Sequence, residues 1–245
     1  MRHLDLFSGI GGFALAAQWA GIETVAFCEI EEFPRKVLAK NFPGVPIHHD
    51  IKELDGGEYA GIDLITGGYP CQPFSLAGKR KGTEDDRHLW PEMRRVVAQA
   101  RPAWVVCENV TGHITLGLDE VLLDLEAEGY AARAFVVPAC AVNAKHKRDR
   151  VWIAGHADRV NAAGIKRPSG PNIYSEKRKT SEAIKEGGVW IPELGAGEIA
   201  PRRDTYTESL RELDGIPNGV DRLRALGNAI VPQVAYEILR AISAA

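Results

Sequence analysis

The sequence predicts an α/β protein built on a doubly wound, mostly parallel sheet. Three observations lead there. Strand-like and helix-like stretches alternate through the first 155 residues, the pattern of strand–helix–strand units. Several strand-like stretches are apolar on both faces, as expected when helices cover both sides of a sheet. The first strand runs directly into a glycine-rich turn and a helix, a common start for a ligand-binding α/β domain.

The elements follow in order. Residues 4–7 read as the first strand and 12–20 as the first helix. A strand at 24–30 and a helix at 31–41 come next, then a short strand at 46–49. The apolar run at 64–67 ends in glycines and reads as a buried strand. A helix at 91–99, a strand at 104–108, a helix at 118–128 and strands at 134–137 and 151–154 complete the alternation. The pattern stops after Ala154. Residues 156–219 are rich in glycine, proline and charge, and read as a small loop-rich insertion. Periodicity returns at 222–226 and in a helix at 232–242. The expected organisation is one domain from 1–155 plus 221–245, with 156–220 as an appended region. No internal repeat or low-complexity tract interrupts it.

Composition narrows the class. With 245 residues, 45% hydrophobic and 26% charged, the chain suits a soluble globular domain. No apolar run reaches the roughly 18 residues of a membrane span, and the N-terminus enters a strand with no signal-peptide pattern. The four cysteines (Cys28, Cys71, Cys107, Cys140) form no CxxC pair and have no histidine at ligand spacing. No metal site or disulfide framework is expected, and a reducing cytoplasm fits. Cys28, Cys107 and Cys140 read as inert packing residues in or beside apolar strands. The net charge of −3 does not advertise nucleic-acid binding. Local clusters do so better: Lys79-Arg80-Lys81, Lys145-His146-Lys147-Arg148 and Lys177-Arg178-Lys179.

Two motifs carry chemistry. In Gly67-Gly68-Tyr69-Pro70-Cys71-Gln72, a cysteine follows the carboxyl end of a buried strand, where open α/β sheets place their reactive groups. In Asp5-Leu6-Phe7-Ser8-Gly9-Ile10-Gly11-Gly12-Phe13, backbone N–H groups at a helix start favour an anionic group. Glu29 ends the next strand, 18 residues beyond Gly11. That is about where nucleotide sites hold an acid for ribose hydroxyls. Asp50 ends the third strand, within reach of an adenine amino group. Spacing alone does not separate NAD from S-adenosylmethionine. Glu108, in Trp104-Val105-Val106-Cys107-Glu108-Asn109-Val110, ends an apolar strand, so burial should raise its pKa. Arg148 and Arg150 precede another strand.

Together these motifs resemble the cytosine-5 DNA methyltransferases, over about residues 1–155 and 215–245. The resemblance implies a Rossmann-like methyltransferase fold and S-adenosylmethionine as cofactor. The implied cofactor set is Phe7, Ser8, Gly9, Ile10, Gly11, Gly12, Glu29, Ile30, Asp50, Ile51, Gly68, Pro70, Leu89, Asn228 and Ala229. Within it Phe7, Gly9 and Gly11 shape the methionine pocket, Glu29 meets the ribose, and Asp50 with Ile51 flanks the adenine. Asn228, in Leu226-Gly227-Asn228-Ala229-Ile230-Val231-Pro232, would touch the carboxylate end as the chain folds back on the first glycine turn.

The implied chemistry is covalent. Cys71 adds to carbon 6 of cytosine, Glu108 manages the proton at N3, and Arg150 meets the exocyclic oxygen, with Arg148 beside the thiol and Glu108. Asn109 would brace the loop around Cys71. The base must leave the duplex to be reached. Residues 72–90 read as a lid, with Gln72, Ser75, Lys79, Arg80 and Lys81 toward DNA. Residues 156–220 would recognise the target sequence in the major groove.

Two departures stand out. His146 occupies a position where the family usually carries glutamine, which should retune the site without abolishing activity. The recognition region is short, and Asp214-Gly215-Ile216-Pro217-Asn218-Gly219-Val220 stands where a further family motif is usual. Compact length points to a phage or prophage enzyme acting as a monomer on double-stranded DNA, in a restriction system or alone. An RNA cytosine-5 methyltransferase shares the motifs, although its Cys-Phe-Thr hallmark is absent. A catalytically dead DNA-binding relative usually loses the Pro-Cys or Glu-Asn-Val residues, and both are kept. A dehydrogenase would leave Glu108 and the arginine pair unexplained.

Overall fold

The computed structural model describes residues 1–70, 89–157 and 225–245. Seven strands form one sheet: β1 (Arg2–Leu6), β2 (Glu23–Cys28), β3 (Ile47–His48), β4 (Leu64–Gly67), β5 (Trp104–Val110), β6 (Tyr130–Pro138) and β7 (Asp149–Ala157). The helices are α1 (Gly12–Trp19), α2 (Glu32–Asn41), α3 (Trp90–Ala100), α4 (His113–Leu116), α5 (Leu118–Ala127) and α6 (Pro232–Ser243). The strand order is β3-β2-β1-β4-β5-β7-β6. Strands β1 to β5 are mutually parallel, and β7 runs antiparallel to both β5 and β6.

The order fixes where a ligand can sit. From β1 the chain winds outward through β2 to β3, then returns to β4 on the other side of β1. Connections after β1 and β4 therefore leave the sheet in opposite directions, opening a crevice beyond their carboxyl ends. Reversal of β7 has a second effect. Its first residues lie at that same edge, with Arg150 opposite Val110 and Trp152 opposite Glu108.

Adjacent strand residues feed two cores, as the doubly apolar runs predict. Ile65 and Val105 join a core with Met93, Val97, Val121 and Leu125 of the α3–α5 side. Leu64 and Val106 join a second core with Phe13, Ala17, Val234, Ala235 and Leu239 from α1 and α6. Helix α6 thus packs in the same core as α1, β4 and β5. Its ring partner is Trp19, whose indole lies 6.1 Å from the Tyr236 ring.

Some details differ from the sequence reading. β3 shrinks to two residues, while β6 and β7 extend beyond their apolar centres because an antiparallel pair continues through exposed residues such as Arg133. The short α4 after β5 was not anticipated. Cys28 and Cys107 are buried packing residues, and burial pushes the Cys28 thiol up to about 12. Cys140 is a correction: it is exposed, because it lies in a 3-10 turn (Ala139–Val142) outside the sheet. Among the described residues no helix is long and apolar enough to cross a membrane, and no cluster could hold a metal ion.

Candidate active site

The glycine-rich turn leaves β1 at Phe7 and caps α1 with Gly11. Phe7 and Gly9 both take φ of 52°, and Gly11 takes 88°. Left-handed backbone is strained for a bulky residue such as Phe7, so the turn must be held from outside. Ser8 does much of this: its N–H donates to the Cys28 carbonyl (3.1 Å), and its Oγ to that of Asp5 (2.7 Å). Glu29 does the rest. Its Oε2 accepts from the Gly9 N–H and its Oε1 from the Glu31 N–H, both at 2.7 Å. Burial raises the Glu29 pKa, against the pull of these two N–H groups.

Two glycines are required by close approach. A Cβ on Gly11 would stand 2.7 Å from the Phe42 ring, and one on Gly12 would stand 2.6 Å from Ile230. The second contact seats the carboxyl-terminal segment directly on the glycine turn, as the sequence suggested.

The opposite wall comes from β4, β5 and β7. Glu108 and Arg150 occupy diagonal cross-strand positions on one face, within reach of long side chains. The Arg150 Nε lies 2.9 Å from Glu108 Oε1. Glu108 is 8% exposed and backs onto Gly68, where a Cβ would lie 3.6 Å from its Oε2. Burial pushes the Glu108 carboxyl up to about 6, while the Arg150 and Arg148 cations pull it down. The group is therefore mostly ionised and paired with Arg150 at neutral pH, yet takes up a proton about a unit below it, far more readily than an ordinary carboxyl. Asn109 donates from Nδ2 to the Tyr69 carbonyl at 3.1 Å, bracing the stem before Pro70.

Arg148 has a role that sequence did not give it. Its Nη2 donates to the carbonyls of Gly227 and Ala229, both at 2.8 Å. It clasps the carboxyl-terminal segment to the start of β7.

These walls enclose one open cleft. It is lined by Phe7, Ser8, Gly9, Ile10, Gly12, Phe13, Gly68, Glu108, Asn228, Ala229 and Ile230. The structure thus gathers around one space eight residues of the expected cofactor set, Phe7, Ser8, Gly9, Ile10, Gly12, Gly68, Asn228 and Ala229, together with Glu108. Phe13 and Ile230 were missed, although both lie inside the quoted motifs; packing between Ile230 and Gly12 has no local sequence signal. Gly11 and Glu29 stand behind the cleft and shape its turn. Ile30 is 65% exposed, Ile51 is buried in the core, and Asp50 Oδ1 accepts from the Lys52 N–H at 2.9 Å. Leu89 caps α3 and packs against the core, and Pro70 is exposed beyond β4; neither lines the cleft. Cys71, Gln72, Ser75, Lys79, Arg80, Lys81 and residues 158–224 lie outside the described residues.

The C-5 cytosine-specific DNA methylase family profile matches residues 1–197. The chain belongs to this family. The Type II methyltransferase M.HgiCII of Herpetosiphon aurantiacus is 33% identical over 215 residues, covering 85% of this chain and 48% of that protein. M.HhaI of Haemophilus parahaemolyticus is 32% identical over 173 residues, covering 69% of this chain and 53% of its own length. Among solved structures, one assigned as a DNA modification methyltransferase encoded within an E. coli prophage superposes with a TM-score of 0.56 at 26% identity. That match covers 69% of this chain and 49% of the other. The chain spans about half the length of the curated relatives it matches.

Proposed function

We propose that this site transfers a methyl group from S-adenosylmethionine to carbon 5 of cytosine in double-stranded DNA. The observation that carries the reading is Glu108: a buried carboxyl with a raised pKa, paired with Arg150 and lining the cleft beside the glycine turn.

The cleft suits the cofactor. Gly12 and Gly68 line it without side chains of their own, and Glu29 holds the turn that would receive the cofactor's charged end. Residues Phe7 to Gly12, Asn228 and Ala229 would contact it, with Glu29, Ile30, Asp50 and Ile51 on the ribose and adenine side. S-adenosylmethionine supplies, when bound, the electrophilic methyl group. The chain's residues prepare the base. The Cys71 thiolate adds to carbon 6, and the proton on Glu108 meets N3, so that electron density collects at carbon 5. Arg150 holds Glu108 in place, and its cation suits the exocyclic oxygen. After transfer, a water in the site would take the carbon 5 proton, the bond between Cys71 and carbon 6 breaks as the ring double bond re-forms, N3 returns its proton to Glu108, and the thiolate is restored. Basic residues 79–81 would meet phosphates of the DNA, and residues 156–220 would read the sequence.

The test is methyl transfer from labelled S-adenosylmethionine to unmethylated genomic DNA, mapped by bisulfite sequencing, beside Cys71→Ser. Label in DNA cytosines that vanishes with the variant supports the reading. Label in RNA alone would move the substrate, and label that survives in Cys71→Ser would remove the nucleophile.

A further inference from the structure

Tyr69 and His113 form a buried pair that the proposed chemistry does not use. Tyr69 directly precedes Pro70-Cys71 and is 3% exposed; His113 opens α4 just past β5 and is 6% exposed. The Tyr69 hydroxyl and the His113 Nε2 lie 2.8 Å apart. The imidazole stands edge-on to the phenol at 5.4 Å. On another side the Tyr69 ring packs at 5.2 Å against Trp90, the first residue of α3. Trp90 is itself held, donating from Nε1 to Asp124 Oδ2 at 2.8 Å.

The arrangement matters because of chain order. In the sequence, Pro70 precedes residues 71–88 and Leu89 follows them. Tyr69 and Trp90 bracket that segment and touch each other, so its two ends are fixed at one point. His113 ties the same point to the strand that carries Glu108 and Asn109. Space around His113 is tight: a Cβ on Gly117 would stand 3.2 Å from its Cε1. Burial lowers the His113 pKa to about 4, so the ring is neutral at physiological pH and pairs with Tyr69 as an uncharged partner.

We infer that Tyr69 and His113 are positioning residues, a hydrogen-bonded clasp that sets the stem of the Cys71-bearing segment against the Glu108 strand. This rests on the proposed function for its catalytic consequence, but not for its structural test. Holding a nucleophile within a fraction of an ångström of its working position is worth large factors in rate. A buried hydroxyl–imidazole bond, added to the Asn109 hydrogen bond on the Tyr69 carbonyl, is a suitable means.

The test compares Tyr69→Phe, His113→Leu, their double variant and His113→Gln in the full chain carrying Cys140→Ser. Glutamine can place an amide group near the position of Nε2. Alkylation of Cys71 by iodoacetamide, followed by peptide mass spectrometry, reads the thiol's surroundings without any substrate. The expected result is a change of about threefold or more in the alkylation rate for both single variants. The double variant should be no further changed, and His113→Gln should return close to the parent rate. In methyl transfer, kcat should fall about tenfold while KM for DNA and Kd for cofactor stay within about twofold. Alkylation at the parent rate in all variants, or single effects that add in the double, would overturn the clasp. If the parent protein methylates no nucleic acid, the functional reading fails, and the alkylation series still decides the clasp.

Discussion

Replacing Glu108 by Gln tests the site's electrostatics with a number that comes from its geometry. Burial holds the carboxyl at about 6 in the folded protein, against an ordinary value of 4.5. A raised folded pKa means that the folded state binds the proton more tightly than the unfolded chain. The resulting stabilisation is complete below pH 4.5 and is lost as pH rises through about 6. The shift corresponds to about 2 kcal/mol. Glutamine keeps the shape and titrates nothing, so the stability of Glu108→Gln relative to wild type should improve by about 2 kcal/mol between pH 4 and pH 8. In a domain of this size that is about 4–8 °C of relative Tm. Urea unfolding at the two pH values measures it, and taking the difference between proteins cancels other titrating groups, including Asp5 and Glu29, which burial also raises. Parallel pH curves for the two proteins would refute the claim that Glu108 is a desolvated carboxyl with a raised pKa. The same substitution removes the proton donor proposed for N3, so methyl transfer should fall about 100-fold or more.

Three further substitutions probe the walls of the cleft. Gly12→Val drives a side chain into Ile230 and should cost about 1–3 kcal/mol; calorimetry should find S-adenosylmethionine binding lost along with it. Glu29→Ala strips the acceptor from the Gly9 and Glu31 N–H groups and should cost about 1–3 kcal/mol, with a cofactor Kd raised at least about tenfold; an unchanged Kd would remove Glu29 from the site. Arg148→Met frees the Gly227 and Ala229 carbonyls, and should raise the cofactor Kd about tenfold while moving the Glu108 titration upward, because one of the two cations that pull it down is gone. A loss of turnover without any change in cofactor binding would place Arg148 at the reacting base instead.

Much of the fold was legible because the signals were local. Doubly apolar strands, amphipathic helices and the glycine turn after β1 each declare themselves in a few residues. The site was legible to the extent that its groups sit in such motifs, as Glu108 does at the end of an apolar strand. What escaped depends on contacts between distant segments. Nothing near Arg148 indicates that its guanidinium will hold two carbonyls some 80 residues away. The alternation in β1 also hides buried polarity: His3 Nε2 lies 2.7 Å from Thr66 Oγ1, which donates to Asp5 Oδ1 at 2.8 Å. All three side chains are inaccessible to solvent. Cys140 was misplaced because an apolar neighbourhood in sequence became a turn at the sheet's rim. His113 carried no sequence signal at all, since its partner Tyr69 comes from the segment after β4, 44 residues earlier.

The central claim is that Cys71 attacks cytosine beside Glu108. Its most direct test is covalent trapping on duplex DNA containing 5-fluorocytosine, in the presence of S-adenosylmethionine, with the adduct mapped by peptide mass spectrometry. Fluorine at carbon 5 cannot leave as a proton does, so the attacking thiol should stay attached. The account requires a stable protein–DNA adduct at Cys71, absent in Cys71→Ser and slowed in Glu108→Gln. An adduct at another residue, or methyl transfer to ordinary cytosine with no trapped species on the fluorinated base, would contradict it.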